Sequence, residues 1–323
     1  MKIAIPGGTG QVGTVLARAF HAEGHEVVAL ARSSKPAPWR VVAWDPGRPA
    51  GWARELDGAD VVINLAGRSV NCRYTQKNRR EIIDSRVGSV RAVGEAIALS
   101  KRPPRVWLQA STATIYAHTY DAPNDESGPI GGGPGASDSW RFSIEVVQAW
   151  ERALDEAPAG ATRKVKLRSA LILNADPGSI FDTLLTLVRR GLGGTAADGR
   201  QYISWIHETD FIRAVRFLIE RDTIDGVVNV SSPNPVPNRE FMAVLRREWG
   251  TAIGLPASRW MLRVGAFCMR TETELILKSR RVVPGRLLRE GFSFTHPDWP
   301  AAARDLCARW RATHGRAVPS VTP

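Results

Sequence analysis

In the first 120 residues of this chain, short apolar runs alternate with stretches of helical periodicity. The apolar runs lie at 2–6, 25–31, 40–44, 60–66 and 105–111. They are apolar over nearly their whole length, which is typical of strands buried on both faces of a parallel sheet. The segments at 12–22 and 75–99 carry apolar residues at helical spacing. This alternation predicts an α/β fold, a doubly wound parallel sheet of the Rossmann type with helices on both faces.

The same alternation continues beyond residue 120. A helix at 140–156, a strand at 164–173, a helix at 208–221 and a strand at 226–232 extend the predicted sheet. Between residues 121 and 139 the chain is rich in Gly, Pro, Ser and Asp, which predicts a loop that could move.

Two unequal parts follow from this pattern. A Rossmann domain is predicted at 1–173 and is completed by about 205–232. A smaller, mainly helical part at 174–204 and 233–317 is expected to cover the carboxyl edge of the sheet, with a tail at 318–323.

The composition excludes several classes of protein. With 43% apolar and 24% charged residues, the chain is an ordinary globular protein and not a disordered one. No apolar run reaches the ~18 residues of a transmembrane helix, and Pro6 with its neighbouring glycines interrupts any signal-like segment. The three cysteines, Cys72, Cys268 and Cys307, show no CxxC spacing. We therefore expect no disulfide framework, no zinc module, no membrane partner and a reducing cytoplasmic location.

The net charge is 44 − 32 = +12, and only seven of the 44 basic residues are lysine. An excess of this kind can indicate a nucleic-acid-binding protein. However, the sequence has no run of five or more basic residues and no basic motif interleaved with aromatics. Net charge by itself bears on solubility and association. We therefore favour arginines dispersed over solvated faces, a few of them holding anionic ligands, and no nucleic acid partner.

A glycine-rich loop, PGGTGQVG, follows the first strand and opens the first helix. Gly7 permits the tight turn, Gly10 lets the backbone approach a pyrophosphate, and Gly13 lets the helix pack on the sheet. Free N–H groups at the start of the helix then face the anion. The pattern predicts a dinucleotide site that includes the residues between these glycines, Thr9, Gln11 and Val12. A tight strand-to-helix turn without a ligand is the alternative.

The end of the second strand indicates which dinucleotide binds. An NAD site normally has Asp or Glu there, on the ribose 2′-hydroxyl. This chain has Arg32, Ser33, Ser34 and Lys35 instead. A guanidinium matches a 2′-phosphate, which a carboxylate would repel. The sequence therefore predicts NADP(H), with an ordinary basic loop as the alternative.

Several further motifs resemble one family. They are the glycine loop, VVINLAG at 61–67, SR at 85–86, GLGG…DGRQYISWIHETDFIRA at 191–214 and VVPGRLLREGFSF at 282–294. Together they resemble the atypical epimerase-like family of the short-chain dehydrogenase/reductase superfamily, over nearly the whole chain. A C-terminal module of unknown function in that family resembles residues ~250–312 here.

The resemblance implies cofactor contacts beyond the glycine loop. Arg32 falls where an arginine meets the adenosine phosphate, and the stretch Leu65, Ala66 and Gly67 lies under the adenosine ribose and pyrophosphate. Further contacts are implied for Glu81, Arg86 and, on the nicotinamide side, Ile172. Without the resemblance, the apolar members would be read as core and Glu81 with Arg86 as a helix-surface pair.

The same superfamily uses a Tyr as general acid/base with a Lys four residues later. Here Phe142 stands at the Tyr position and Val146 at the Lys position, so neither can carry a proton. The remaining candidates lie after the fifth strand: Thr112 aligns with the hydroxyl that orients the substrate, Ser111 adjoins it, and Tyr116 is a candidate acid. A strand-end residue and a packed loop aromatic are the respective alternatives for Thr112 and Tyr116.

A phenol with a pKa near 10 needs a nearby cation to act as an acid at neutral pH. Arg73, Arg168 and His207 are the candidates for that cation, and the sequence does not distinguish them. For His207 itself, directly before a predicted helix, we favour a structural role. Arg200 and Gln201 lie in a loop that touches a substrate anion in related sugar-nucleotide enzymes, which favours a polar or anionic small-molecule substrate.

Two functions from different classes remain open. The first is an NADP(H)-dependent oxidoreductase or epimerase-like enzyme acting on an unidentified small molecule. The second is an NADP(H)-binding regulatory or sensor protein without turnover, which the missing Tyr and Lys favour.

Overall fold

The computed structural model describes residues 1–33, 36–48, 51–258, 260–261 and 277–314. Its centre is a sheet of seven parallel strands in the order β10-β6-β5-β4-β1-β2-β3. The strands of this sheet are β1 Lys2–Pro6, β2 Glu26–Ala31, β3 Arg40–Ala43, β4 Val61–Asn64, β5 Val106–Thr112, β6 Arg163–Ser169 and β10 Gly226–Val230. The predicted α/β fold with a doubly wound parallel sheet is therefore confirmed.

Helices cover both faces of the sheet. The described helices are α1 Gln11–Ala22, α2 Gln76–Ala98, α3 Asp138–Glu156, α4 Ile180–Arg189, α5 Glu208–Glu220, α6 Asn238–Trp249, α7 Gly285–Arg289 and α8 Trp299–His314. On one face, α1 and α5 bury Phe20 and Phe211 against the strands. On the other face, α2 and α3 bury Val93 and Leu154. Most of the strands between them are apolar because both of their faces are covered, whereas β6 reads RKVKLRS and buries Val165, Leu167 and Arg168.

The predicted strand at 164–173 is wrong as a single element. It divides after Ser169 because the amide of Ala170 still donates to Val230 O, at 3.1 Å, whereas Leu171 N donates to Ser204 O, at 3.2 Å. The chain thus leaves the main sheet, and β7 (Leu171–Leu173) pairs with β9 (Trp205–His207). A third small pairing joins β8 (Tyr202–Ile203) to β11 (Val236–Pro237).

The C-terminal part is mainly helical, as predicted, and has its own core. Helices α4, α6 and α8 pack with β7 and β9 around buried aromatic side chains. In this core the Phe241 ring stacks on Trp299 with 3.9 Å between centroids, and Trp205 meets Trp299 edge-on at 5.2 Å. The domain boundaries stay a prediction. Ser34, Lys35, Cys268 and the tail at 318–323 lie outside the described residues.

The glycine- and proline-rich loop at 121–139 is tied to the C-terminal part. Asn124 N donates to Arg281 O at 2.7 Å, and Val283 N donates to Asn124 O at 2.9 Å. The carboxylate of Glu126 accepts from the amides of Asn229, at 2.9 Å, and Arg286, at 3.0 Å. These bonds fix one half of a loop for which the sequence left movement open.

Within the described residues, no helix combines the length and the hydrophobicity that a bilayer span requires.

Candidate functional site

In the glycine loop between β1 and α1, the surrounding protein leaves no room for a side chain at Gly7 and Gly13, two of the three glycines of the predicted pattern, nor at Gly8 between them. Gly7 has φ +81°, and a Cβ there would lie 2.8 Å from the amide nitrogen of Ala66. A Cβ on Gly13 would lie 2.5 Å from Gly7 O. Such distances are far below van der Waals contact, so the protein itself requires glycine at both positions.

Gly10 is different, because the protein leaves space beside it. A Cβ on Gly10 would meet only Gly7 O, at 3.3 Å. Gly10 is also the N-cap of α1; it offers no side-chain cap, and the first turn contains no acidic residue. The positive end of α1 is therefore open at this point, and an anion such as a pyrophosphate fits it.

The other predicted loop residues surround this opening. Thr9 is half-buried, Gln11 is exposed, and Val12 packs against the core beneath α1. The Gln11 side-chain amide donates to Gly178 O, in the loop between β7 and α4. This contact brings the loop before α4 to the start of α1.

Arg32 and Ser33 are exposed at the carboxyl end of β2. In the described part of the chain, no hydrogen bond or ion pair involves the Arg32 guanidinium, whereas many other arginines are paired with carboxylates. The arrangement is compatible with the predicted contact to a 2′-phosphate.

The end of β4 lies beside the glycine loop. Leu65 N donates to Pro6 O at 2.8 Å, and Ala66 N donates to Asn64 Oδ1 at 3.1 Å. A Cβ on Gly67 would lie 3.2 Å from Cγ of Arg86, so this arginine packs directly on the backbone after β4. The structure thus brings Leu65, Ala66, Gly67 and Arg86 together.

Two predicted cofactor residues have other surroundings. Glu81 forms an ion pair with Arg68 at 2.9 Å and approaches Lys77 at 4.0 Å, on the half-exposed surface of α2. Ile172 lies in β7, outside the main sheet, and packs against the same core cluster as Leu65. Their contact with a cofactor stays a prediction.

A buried polar network follows β5. Ser111 Oγ donates to Glu151 Oε1 at 2.6 Å, and Arg168 donates to both oxygens of Glu151 at 2.8 Å. Arg168 Nη1 also donates to Tyr116 Oη at 3.0 Å, and that hydroxyl donates to Asn229 Oδ1 at 2.7 Å. Of the three cations proposed beside Tyr116, the structure selects Arg168.

The network changes the acidity of its members. Burial raises the pKa of Tyr116 above its ordinary value, although the bond from Arg168 opposes this. Burial alone would lower the pKa of Arg168, but hydrogen bonding and charge from Glu151 outweigh it and the pKa is raised. At neutral pH the network therefore holds an ion pair and a neutral phenol.

Sequence reasoning missed Glu151 and Asn229. The available signal was position: Glu151 lies four residues after Val147 on the face of α3 that is otherwise apolar, and Asn229 interrupts an apolar strand. A polar side chain at such a position must find a buried partner.

A cavity of about 140 Å³ lies at the carboxyl end of β5, against α3. Its walls are mainly apolar and include Phe142 and Val146, the two residues predicted to stand at the positions of the missing Tyr and Lys. The lining residues are Val70, Tyr74, Arg86, Thr112, Thr114, Phe142, Ser143, Val146, Val147 and Trp150. Thr112 thus reaches the cavity, whereas Ser111 and Tyr116 do not line it. A catalytic role for Ser111 and Tyr116 stays a prediction.

Arg86 is the charged side chain in the cavity wall. Its Nη1 donates to the carbonyl oxygens of Arg68 and Ile82, both at 3.0 Å, and its Nε is buried without a hydrogen-bond acceptor. No carboxylate of the described chain pairs with it. Burial lowers the pKa of Arg86 to about 10. A buried cation without a counter-ion favours an anionic group at this place.

His207 has a structural position, as predicted. Its Nδ1 accepts from Thr209 N at 3.0 Å and so caps α5, and its Nε2 lies 3.0 Å from Asp305 Oδ2. The ring stacks on His296 at 4.0 Å. Burial, together with His296, lowers the pKa of His207 to about 4, which keeps the ring neutral at physiological pH.

Arg200 and Gln201, the two loop residues predicted to touch a substrate anion, lie in different environments. Gln201 is buried and donates to Ala196 O at 3.0 Å, so it stabilises its own loop. Arg200 is exposed, 5.6 Å from the Tyr120 ring centroid.

Comparison with known proteins identifies the family. Residues 3–231 match the NAD dependent epimerase/dehydratase family, and residues 257–306 match a domain of unknown function, DUF1731. The chain is 30% identical over 311 residues to the epimerase family protein SDR39U1 of Homo sapiens, covering 95% of this chain and 100% of that protein. It is also 30% identical over 311 residues to the epimerase family protein YfhF of Bacillus subtilis, covering 95% and 98%.

A solved structure of human SDR39U1 (isoform 2) with NADPH is similar throughout. Its TM-score is 0.83 at 28% identity, covering 95% of this chain and 99% of that one. The resemblance inferred from the motifs is confirmed, including the C-terminal module. Since the family match spans the whole sheet, the chain belongs to the NAD dependent epimerase/dehydratase family.

Proposed function

We propose that this protein binds NADP(H) across the glycine loop and uses it in an oxidoreductase or epimerase-like reaction on a small molecule. The human relative that was crystallised with NADPH supports the choice of cofactor. A reducing compartment such as the cytoplasm suits the free thiols of Cys72 and Cys307.

The observation that carries the proposal is the opening at Gly10. The protein's own backbone requires glycine at positions 7 and 13, but at position 10 the nearest atom would stand 3.3 Å from a Cβ. Together with the uncapped start of α1, this space fits a pyrophosphate. The backbone amides at the start of α1 would hold it.

The 2′-phosphate would meet Arg32 at the end of β2. That guanidinium has no competing carboxylate among the described residues, and it offers several donors in one plane. We therefore propose a preference for the phosphorylated dinucleotide.

The reaction would take place in the cavity after β5. When bound, the cofactor supplies or accepts a hydride. Thr112 lines the cavity, and its hydroxyl donates to Thr114 Oγ1 at 3.1 Å. On binding, this hydroxyl would donate to a substrate oxygen instead. The apolar side chains of Phe142 and Val146 would exclude water from the reacting atoms. A polar or anionic substrate group would lie near Arg86.

Binding can be tested with one substitution and one matched control. Gly10→Val places a branched side chain where the pyrophosphate would lie, so we expect loss of NADPH binding by fluorescence or calorimetric titration. Gly88→Val is the control, because a Cβ at Gly88, within α2, would meet nothing within 4 Å. Circular dichroism should show that both variants fold. A folded Gly10→Val protein that binds NADPH normally contradicts the proposed site.

The second candidate function is an NADP(H)-binding sensor without turnover. Phe142 and Val146 favour it, because neither side chain can transfer a proton and both line the cavity. The two candidates separate in a screen of carbonyl, alkene and sugar-nucleotide compounds. Tight NADPH binding without any NADPH consumption supports the sensor.

A further inference from the structure

The cavity has neither the Tyr nor the Lys of the superfamily on its α3 wall, but another part of the chain brings a tyrosine to it. Tyr74 and Arg86 line the same cavity as Phe142 and Thr112. The rings of Tyr74 and Phe142 meet edge-on, with 4.8 Å between their centroids. A phenol is thus present beside the position where the superfamily's Tyr would stand.

The backbone of Tyr74 is fixed by the start of α2. Thr75 caps the helix by accepting from Asn78 N at 3.3 Å, and Arg79 Nε donates to Tyr74 O at 3.0 Å. The Arg79 guanidinium lies over the Phe142 ring at 4.8 Å and is paired with Asp138. The segment before α2 is therefore held against α3.

The described charges around this phenol are mainly positive. Arg86, on α2, lines the same cavity as the phenol, and the charge of Arg79 is offset by Asp138. The lining residues of α3 and of the turn after β5 are uncharged. Cys72 lies near Arg86 on the same segment as Tyr74. A tyrosinate next to an unpaired buried arginine gains more than a neutral phenol does.

We propose that Tyr74 is the proton donor and acceptor of this site, and that Arg86 is the cation that stabilises its phenolate. The pair would replace the Tyr and Lys that α3 lacks. This inference rests on the proposed NADP(H)-dependent reaction.

In the reducing direction, the carbonyl carbon of the substrate receives the hydride, and the C=O π bond breaks. The carbonyl oxygen takes the proton from Tyr74 Oη, which leaves a phenolate beside Arg86. A proton from water restores the phenol, so the substrate gains two hydrogens and the dihydronicotinamide is oxidised.

The pair can be tested in the protein alone, without a cofactor or a substrate. The chain has four tyrosines, so tyrosinate absorbance near 295 nm resolves individual ionisations. We expect one phenol to ionise at least one pH unit below the ordinary value of ~10. Tyr74→Phe should remove this step, and the matched control Tyr120→Phe should retain it.

Arg86 is tested by the same titration. Arg86→Gln should raise the pH at which this phenol ionises by at least one unit. Arg86→Lys, which keeps the positive charge, should bring that pH part of the way back. Circular dichroism at each pH should confirm the fold. If Arg86→Gln does not fold, Arg86→Met decides instead, because it removes the charge but keeps an unbranched side chain: a higher phenol pKa supports the pair, and an unchanged one contradicts it.

Two outcomes overturn the inference: four tyrosines that all ionise near or above ~10, or an early step that survives Tyr74→Phe. NADPH titration of the same proteins keeps the two proposals apart. Absent NADPH binding in the unmodified protein contradicts the proposed function, whereas normal binding with ordinary phenols contradicts only the role of Tyr74. With a carbonyl substrate from the screen, Tyr74→Phe should lower kcat by roughly 10²–10⁴ at unchanged NADPH affinity.

Discussion

At the scale of single residues, Arg32 decides the choice of cofactor. Its guanidinium is exposed and unpaired within the described chain, at the end of β2. Arg32→Asp should weaken NADPH binding by about 10- to 100-fold, since a charge-assisted hydrogen bond is replaced by repulsion. Calorimetric titration with NADPH and NADH measures the preference. Arg91→Asp, on the exposed surface of α2, is the control, and equal affinity of the unmodified protein for both cofactors contradicts the prediction.

Tyr116 gives a second prediction at this scale. Tyr116→Phe leaves Asn229 Oδ1 and Arg168 Nη1 without their shared partner, and both are buried. We expect a loss of about 1–3 kcal/mol in the free energy of unfolding, measured with denaturant. Tyr120→Phe should change it little. If Tyr116 is instead the general acid, kcat of Tyr116→Phe falls by roughly 10²–10⁴, while unchanged turnover removes it from the mechanism.

How far the sequence predicts single residues depends on what each motif specifies. The roles of the glycines at 7, 10 and 13 could be predicted, because a strand followed at once by a tight turn and a helix allows few backbone conformations. Glu151 could not be paired with Ser111 and Arg168, because the partners are 40 and 17 residues away along the chain. Such a network depends on three elements meeting, which local periodicity does not encode.

At the scale of elements, α5 depends on its histidine cap. The folded state holds His207 with a pKa of about 4, whereas an unfolded histidine ionises near ~6.5. The unfolded chain therefore binds the proton first as the pH falls. The stabilisation of the folded state by the neutral His207 cap is complete above pH ~6.5 and is lost as the pH falls towards 4.

Replacement of the cap tests this dependence. His207→Asn keeps a hydrogen-bond acceptor for Thr209 N but no longer titrates. We expect its melting temperature to fall less steeply between pH 6.5 and 4 than that of the unmodified protein. His21→Asn, at an exposed site near the end of α1, should follow the unmodified protein. Identical slopes in all three proteins would contradict the predicted role of His207.

Most strands of the main sheet were predictable because they are apolar runs between helices, and β6 because its buried Val165 and Leu167 alternate with polar residues. The division of 164–173 was not predictable, because Leu171–Leu173 is also an apolar run of strand type and follows β6 after a single residue. Only the partner strand β9 shows that these residues belong to another sheet. The pinned loop at 121–139 escaped prediction for a related reason, since its partners at 281–286 lie far along the chain.

At the scale of the whole molecule, the charge of +12 predicts weak attachment to nucleic acids. Many arginines are paired with carboxylates across the surface, among them Arg18, Arg213 and Arg304. We expect binding to DNA or RNA that is lost between ~50 and ~200 mM salt, as counterion release requires. Fluorescence anisotropy with labelled oligonucleotides measures it. Sequence-selective binding that survives ~200 mM salt contradicts this expectation.

The hydrogen bonds between Asn124 and residues 281–283 have a consequence for folding during translation. The bonds that fix this loop join positions separated by 281 − 124 = 157 residues. At roughly 5–20 residues per second, about 10–30 s of translation pass before the second partner exists. Strands β1 to β5 are already synthesised when that interval begins, and β6 follows within it, while the loop beside the carboxyl edge of the sheet has no partner until residues 281–283 leave the ribosome.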